Sequence, residues 1–255
     1  MAASMSAFTT SSDDRWLFCF THPDDEISIV AWIRRLIAAN AHVHCGWSVT
    51  NETREAEARR VMKLLGVPSE NLHFLRFPDG SACEHLAPLS EAWKSVLEVA
   101  KPTRIVACAF ECGHLDHDST NYAVHRAASS LGIEGARYEV PLYHTYLTRI
   151  PVINRFADPN GEEVLHLDPA EANLKLRVSR MYPSQNIASL LVWYTILNWL
   201  KVRPAALCKT ERMRLQTHFD YSTPNLPPAL KERVQRSEKW KTWLDSVRAA
   251  ESQNA

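Results

Sequence analysis

The chain has 255 residues, with 29 Lys plus Arg against 29 Asp plus Glu and a formal net charge of zero. That length suits one large α/β domain whose core needs no disulfide staples. The balanced charge gives no sign of nucleic acid or an anionic membrane surface as a partner, so a small-molecule ligand is expected. Cys19, Cys45, Cys83, Cys108, Cys112 and Cys208 form no Cys-x-x-Cys pair and read as reduced thiols.

Residues 1–14 are polar and lack the basic and apolar regions of a secretory signal. They are expected to be a disordered leader on a cytoplasmic protein. Short β-branched or aromatic runs near 15–21, 42–50, 71–76, 103–110 and 137–143 alternate with helical patterns near 26–39, 53–65, 88–100 and 118–131. This alternation predicts βαβ units and a parallel sheet. The first helix is apolar almost all round (Ile27, Ile29, Val30, Trp32, Ile33, Leu36, Ile37), so packing on both sides is expected. The second stops at Gly66.

Beyond residue 143 the rhythm ends, and a mainly helical part with Pro-punctuated loops is expected. Asp168-Pro169-Ala170-Glu171 has a cap, a first-turn Pro and a Glu at the third position, a helix start. The apolar stretch 187–200 is too short to span a bilayer and reads as a buried helix, or, through Trp193, Tyr194 and Trp199, as an interfacial segment or substrate lid. A last helix is predicted from Pro228 to Ala250. The expected organisation is a leader over 1–14 and a single domain over 15–255, comprising a Rossmann-like core (15–150) and a helical substrate-shaping part (151–255).

Two clusters carry the chemistry. His22-Pro23-Asp24-Asp25-Glu26 follows the first strand, and His114-Leu115-Asp116-His117-Asp118 follows the fourth. Taken singly, the first is also compatible with a turn and helix cap. In a doubly wound sheet of order 3-2-1-4-5, however, strands one and four are neighbours, and their carboxyl ends flank the crevice where ligands bind. His22, Asp24 and Asp25 are then brought against His114, Asp116 and His117, a His/Asp set suited to a divalent cation. With 7 Gly in the whole chain and no Gly-x-Gly-x-x-Gly, dinucleotide binding is disfavoured.

These motifs, with Thr53-Arg54-Glu55-Ala56-Glu57, Leu64-Leu65-Gly66-Val67, Phe77-Pro78-Asp79-Gly80 and Tyr182-Pro183-Ser184-Gln185, resemble the PIG-L/LmbE-like family of zinc-dependent N-deacetylases, which act mostly on N-acetylglucosamine-type conjugates. The resemblance covers about residues 15–185. It implies His22, Asp25 and His117 as zinc ligands, Asp24 as general base, His114 as the group that polarises or protonates at the tetrahedral intermediate, Asp116 as a residue orienting an imidazole, and Arg54 as a contact to a substrate hydroxyl or phosphate. Ferrous iron or another divalent ion suits the same ligands. Glu26 is read either as a partner of a ligand imidazole or as a first-turn helix acid. Arg54 has a second reading as a solvated helix charge, Asp79 is read as a turn former rather than a contact, and Gln185 as a cap or brace.

Leu115 stands where the family commonly has Pro, and nothing beyond 185 follows the pattern. Inositol conjugates, thiol-cofactor precursors, chito-oligosaccharides and glycosylated natural products all stay open as substrates. The competing readings are a hydrolase of a non-sugar amide or longer acyl group, and a non-catalytic metal-binding protein. Oligomeric state leaves no readable trace.

Overall fold

Trp16, Phe18 and Phe20 point to one face of strand β1 (Arg15–Phe20) and Leu17 and Cys19 to the other, and all five are buried. A central strand covered on both faces has this pattern, because successive side chains alternate across the sheet. In this computed structural model, which describes residues 6–144, 152–185, 187, 196 and 209–252, β1 runs parallel between β2 (His42–Val49) and β4 (Arg104–Cys108). Strand β3 (Leu72–Phe77) pairs with β2, and β5 (Ala136–Val140) with β4, also in parallel. The expected order 3-2-1-4-5 is therefore present.

Helices α1 (Val30–Ala38) and α2 (Glu52–Leu65) cover the Trp16 face, and α3 (Leu86–Ala100) and α4 (Leu115–Ser130) cover the Leu17 face. Trp16 packs edge-on to Trp32 and stacks with Tyr138. Truncating such a side chain to Ala costs about 3–5 kcal/mol through lost burial and the cavity left behind. Helix α2 begins at Asn51, whose side chain accepts the Arg54 N–H at 3.0 Å, and ends at Gly66, where φ is 90°. Glycine meets that left-handed position without the strain a Cβ would bring.

The second half differs from expectation. It contributes strands as well as helices: β9 (Thr210–Leu215) adds antiparallel to β5, and β8 (Glu162–His166) adds antiparallel to β9, giving 3-2-1-4-5-9-8. Strands β6 (Tyr143–His144) and β7 (Val152–Ile153) form a separate short ribbon. Helix α5 (Pro169–Ser179) has the expected capping box, with Asp168 Oδ1 accepting Glu171 N–H at 2.9 Å and Glu171 Oε2 accepting Asp168 N–H at 3.0 Å. The last helix is two, α6 (Pro228–Gln235) and α7 (Glu238–Ser252). Ser237 makes the break by accepting the Trp240 N–H at 3.2 Å, a new N-terminal cap.

Residues 6–14 are ordered against the domain, contrary to the expected disordered leader. Ala7 is buried and its N–H donates to Glu163 at 2.8 Å, while Phe8 meets the edge of Trp32. Helix α1 is packed on its apolar side but not, as expected, on both sides: Arg34 is exposed and Arg35 pairs with Glu171 at 2.6 Å. The predicted 187–200 helix lies outside the described residues apart from Ile187 and Ile196.

One buried ion pair ties the two halves together. Glu211 on β9 accepts the N–H groups of Ala31 and Trp32, both at 2.8 Å, and so caps α1 from a distant strand. Lys175 Nζ lies 3.1 Å from Glu211 and donates to the Ser28 carbonyl at 3.1 Å.

Candidate metal centre

Strands β1 and β4 are in register, with Leu17 opposite Ile105 and Cys19 opposite Ala107, so their carboxyl ends emerge together at the crevice where the strand order reverses. The chain leaves β1 through a sharp turn. Asp24 has φ 117° and ψ −22°, a sparsely populated conformation for a residue with a Cβ, and the 3-10 turn Asp25–Ser28 follows. After β4, His114 caps α4 by accepting the Asp116 N–H on Nδ1 at 3.2 Å. The helix begins three residues earlier than the apolar pattern suggested, which puts Asp116 and His117 in its first turn.

His22, Asp25 and His117 offer ligand atoms that all lie within 4.8 Å of one another. Asp25 is fixed by the Thr21 and His22 N–H groups, which donate to Oδ2 at 3.0 and 2.8 Å, and its Oδ1 is 3.6 Å from His117 Nε2. His117 Nε2 is buried with no hydrogen-bond partner among the described residues. A buried, unpaired imidazole nitrogen facing a carboxylate is costly unless it meets a cation. The donor set, two imidazoles and one carboxylate with room for a further ligand, fits an open divalent-metal site.

His22 Nδ1 is the nitrogen on the Asp25 side, and Nε2 faces Asp79 and Asp116. Nε2 lies 3.4 Å from Asp116 Oδ2 and 3.3 Å from Asp79 Oδ1. Asp116 is wholly buried and also accepts the N–H groups of Gly80 at 2.7 Å and Ala82 at 3.0 Å. Protonation on Nε2 leaves Nδ1, 4.0 Å from Asp25, with its lone pair on the metal side. His22, Asp79 and Asp116 also form a compact acidic group. Its oxygens are already engaged, however, Asp116 by backbone amides and Asp79 by Arg54 at 3.2 Å.

Electrostatics separate the roles. Burial strongly disfavours charge on His117, and the nearby His22 and His114 add to this, so its pKa is well below the ordinary histidine value. It presents a neutral nitrogen. Burial works against charging His22 too, but Asp116, Asp25 and Asp79 outweigh it and raise its pKa. His114 is lowered by burial and by His22. Because its Nδ1 accepts the Asp116 N–H, the neutral ring carries its proton on Nε2. Asp24 is pushed well above the ordinary carboxylate value by burial and by the charges of Asp25 and Glu26, while His22 and then Arg54 pull the other way.

Every residue singled out in the two clusters is thus brought to one place, and Arg54 borders it. Arg54 is no solvated helix charge, since it spans Asp79 and Gln185. Asp79 is more than a turn former, touching both Arg54 and His22. Glu26 contacts no site imidazole. It accepts the Asp24 N–H at 2.9 Å and the Trp47 indole N–H at 3.4 Å, and Tyr182 donates its hydroxyl proton to it. Cys108 Sγ lies 3.8 Å from Asp25 Oδ2, and the Tyr143 ring stands 5.5 Å from His117. Neither was singled out, because Cys108 reads as one more core residue and Tyr143 as a strand end.

Residues 17–128 match the PIG-L family, described as GlcNAc-PI de-N-acetylase. Among solved structures, the zinc-inhibited form of teicoplanin deacetylase Orf2 superposes with a TM-score of 0.59 at 16% identity, covering 78% of this chain and 97% of that one. The conserved protein TT1542 from Thermus thermophilus gives 0.58 at 18% identity, covering 80% and 95%. The N,N'-diacetylchitobiose deacetylase of Pyrococcus horikoshii gives 0.53 at 18% identity, covering 80% and 84%. Comparison with curated protein sequences gives no significant match. The doubly wound sheet, the His/Asp group at its switch point and the family match define a hydrolytic N-deacetylase. Residues 17–128 form a PIG-L domain, and the His22, Asp25 and His117 group lies within it.

Proposed function

We propose that this protein hydrolyses the N-acetyl amide of an N-acetylglucosamine-type conjugate, releasing acetate and a free amine, with zinc held by His22, Asp25 and His117. The observation that carries this reading is the convergence of those three ligand atoms around the unpartnered His117 Nε2. When bound, zinc supplies Lewis acidity toward the amide carbonyl and the attacking water.

The protein's own groups do the rest. Asp24 accepts the proton of the attacking water and returns it to the departing amine, and its raised pKa brings it toward the range a proton shuttle needs. His114 donates from Nε2 to the oxygen on which charge develops. Asp116 holds the His22 ring in orientation and tautomer, and Arg54 binds a hydroxyl of the sugar. Among the described residues no helix is long and apolar enough to cross a membrane, and the composition suits a small-molecule enzyme of the cytoplasm. Acetate release from N-acetylglucosamine conjugates, measured on metal-stripped protein before and after one equivalent of zinc, tests the reading. Zinc-dependent release supports it, and stoichiometric zinc binding without amide cleavage rejects it.

A further inference from the structure

Two unlike spaces adjoin the candidate metal centre, one through Asp79, which lies 3.3 Å from His22, and the other through Asp24 and Asp25. One, of about 610 Å³, is lined by Arg54, Asp79, Ser184, Gln185 and the start of α2. The other, of about 150 Å³, is lined by Asp24 and Asp25 and then by Ile27, Leu142, Ile153 and Ile187. Of the uncharged polar side chains on this second wall, Ser28 Oγ donates to the Asp25 carbonyl at 2.8 Å, Asn154 Nδ2 donates to the Thr210 carbonyl at 2.8 Å, and Tyr143 packs edge-to-face with His114 and His117. Away from Asp24 and Asp25 the wall is mainly hydrocarbon, and sugar hydroxyls placed against Ile27, Leu142, Ile153 and Ile187 would lose their water without replacement.

An amide whose carbonyl faces the His22, Asp25 and His117 group would send one substituent toward each space. The amino sugar matches the side of Arg54 and Asp79, and the acyl group falls to the apolar side. A hydrocarbon-lined cavity of about 150 Å³ takes a six-carbon guest such as benzene. The single methyl of an acetyl group leaves most of it unfilled. We propose that the preferred substrate of this protein is an amino sugar whose N-acyl chain is longer than acetyl, about four to six carbons, seated among Ile27, Leu142, Ile153 and Ile187.

This rests on the hydrolytic reading of the site, keeps its amino sugar, and extends the N-acyl group beyond acetyl, which stays a slower substrate. The reaction is the same: water oxygen forms the bond to the acyl carbon, the C–N bond breaks, the amine leaves with the transferred proton, and the chain departs as a carboxylate. Each methylene buried in the pocket raises kcat/KM about fourfold (about 0.8 kcal/mol).

The test uses the zinc-loaded full chain and N-acetyl, N-butyryl, N-hexanoyl and N-decanoyl glucosamine glycosides sharing one aglycone, with free amine as the readout. We expect kcat/KM to rise at least tenfold from acetyl to hexanoyl and to fall at decanoyl. Ile153→Phe and, independently, Ile187→Phe should move the optimum back toward acetyl. Acetyl as the fastest substrate, or a hexanoyl preference that neither variant disturbs, overturns the chain-length inference and leaves the hydrolase intact. No amine from any member of the series defeats the hydrolytic reading itself.

Discussion

Asp116 Oδ2 lies 3.4 Å from His22 Nε2 while accepting the Gly80 N–H at 2.7 Å. A buried carboxylate of α4 thus faces an imidazole from the turn after β1, and in the proposed function it orients that ring. Asp116→Asn keeps the size and loses the charge that favours an Nε2 proton. Zinc affinity, measured by competition with a chromophoric chelator, should fall about 10–100-fold. Unchanged affinity would remove Asp116 from the site.

Ligand and base roles separate by metal content. His22→Ala, Asp25→Ala and His117→Ala should each lose bound zinc together with activity. Asp24→Asn should keep zinc and lose about 10²–10⁴-fold in kcat. Equal metal in all four variants, by elemental analysis after dialysis, would sink the ligand assignment.

Glu26 fastens the Asp24 backbone in a conformation that costs about 1–3 kcal/mol unless its surroundings hold it. Glu26→Ala should lower kcat about tenfold or more while KM and zinc content stay near wild type. Glu26→Gln retains an oxygen for the Asp24 N–H and should recover most of the rate. A loss of the same size in both variants would show that charge, rather than the hydrogen bond, matters.

His44 Nδ1 and His73 Nε2 are 3.1 Å apart, so one accepts the proton the other carries and both cannot be charged at little cost. Burial, and then His44, hold the His73 pKa down at about 4, against 6.5 when unperturbed. The unfolded chain then binds more protons than the folded one between those two values, so this pair makes stability rise with pH across that window and fall as the solution is acidified. Urea midpoints at several pH values should show a shallower dependence for His73→Gln than for wild type. Parallel curves would assign the slope elsewhere.

Lys175 and Glu211 form a buried pair, and removing one partner strands the other. Lys175→Met should cost about 3–5 kcal/mol in urea unfolding. A change within experimental scatter would show that the amides of Ala31 and Trp32 suffice to hold the carboxylate.

Much of this was legible because the parallel order alone carries residues 22–25 to residues 114–117: once β1 and β4 are neighbours, the two clusters have nowhere else to go. The contacts of Asp79 were not, because they depend on how the chain leaves β3, past a register shift at Val49 and a left-handed Arg76 with φ 62°. Strands β8 and β9 escaped notice for another reason. Their sequences, Glu-Glu-Val-Leu-His and Thr-Glu-Arg-Met-Arg-Leu, are rich in charge. Their partners are supplied by tertiary structure, as in the pairs Arg212–Glu162 and Arg214–Glu139. The split of the last helix turns on Ser237, which sits in the helical pattern without disturbing its apolar face.

The Glu211 cap has an evolutionary corollary. The stretch matching the family ends at residue 128, yet the helix that follows the Asp24-Asp25 turn takes its terminal acceptor from residue 211, and the turn's Ser28 carbonyl takes its donor from residue 175. The motif-bearing segment is thus not a portable module. Grafted alone into another scaffold, it would carry every proposed catalytic side chain and still leave the amides of Ala31 and Trp32 without their acceptor, so sequence drift in the second half is constrained by chemistry performed in the first.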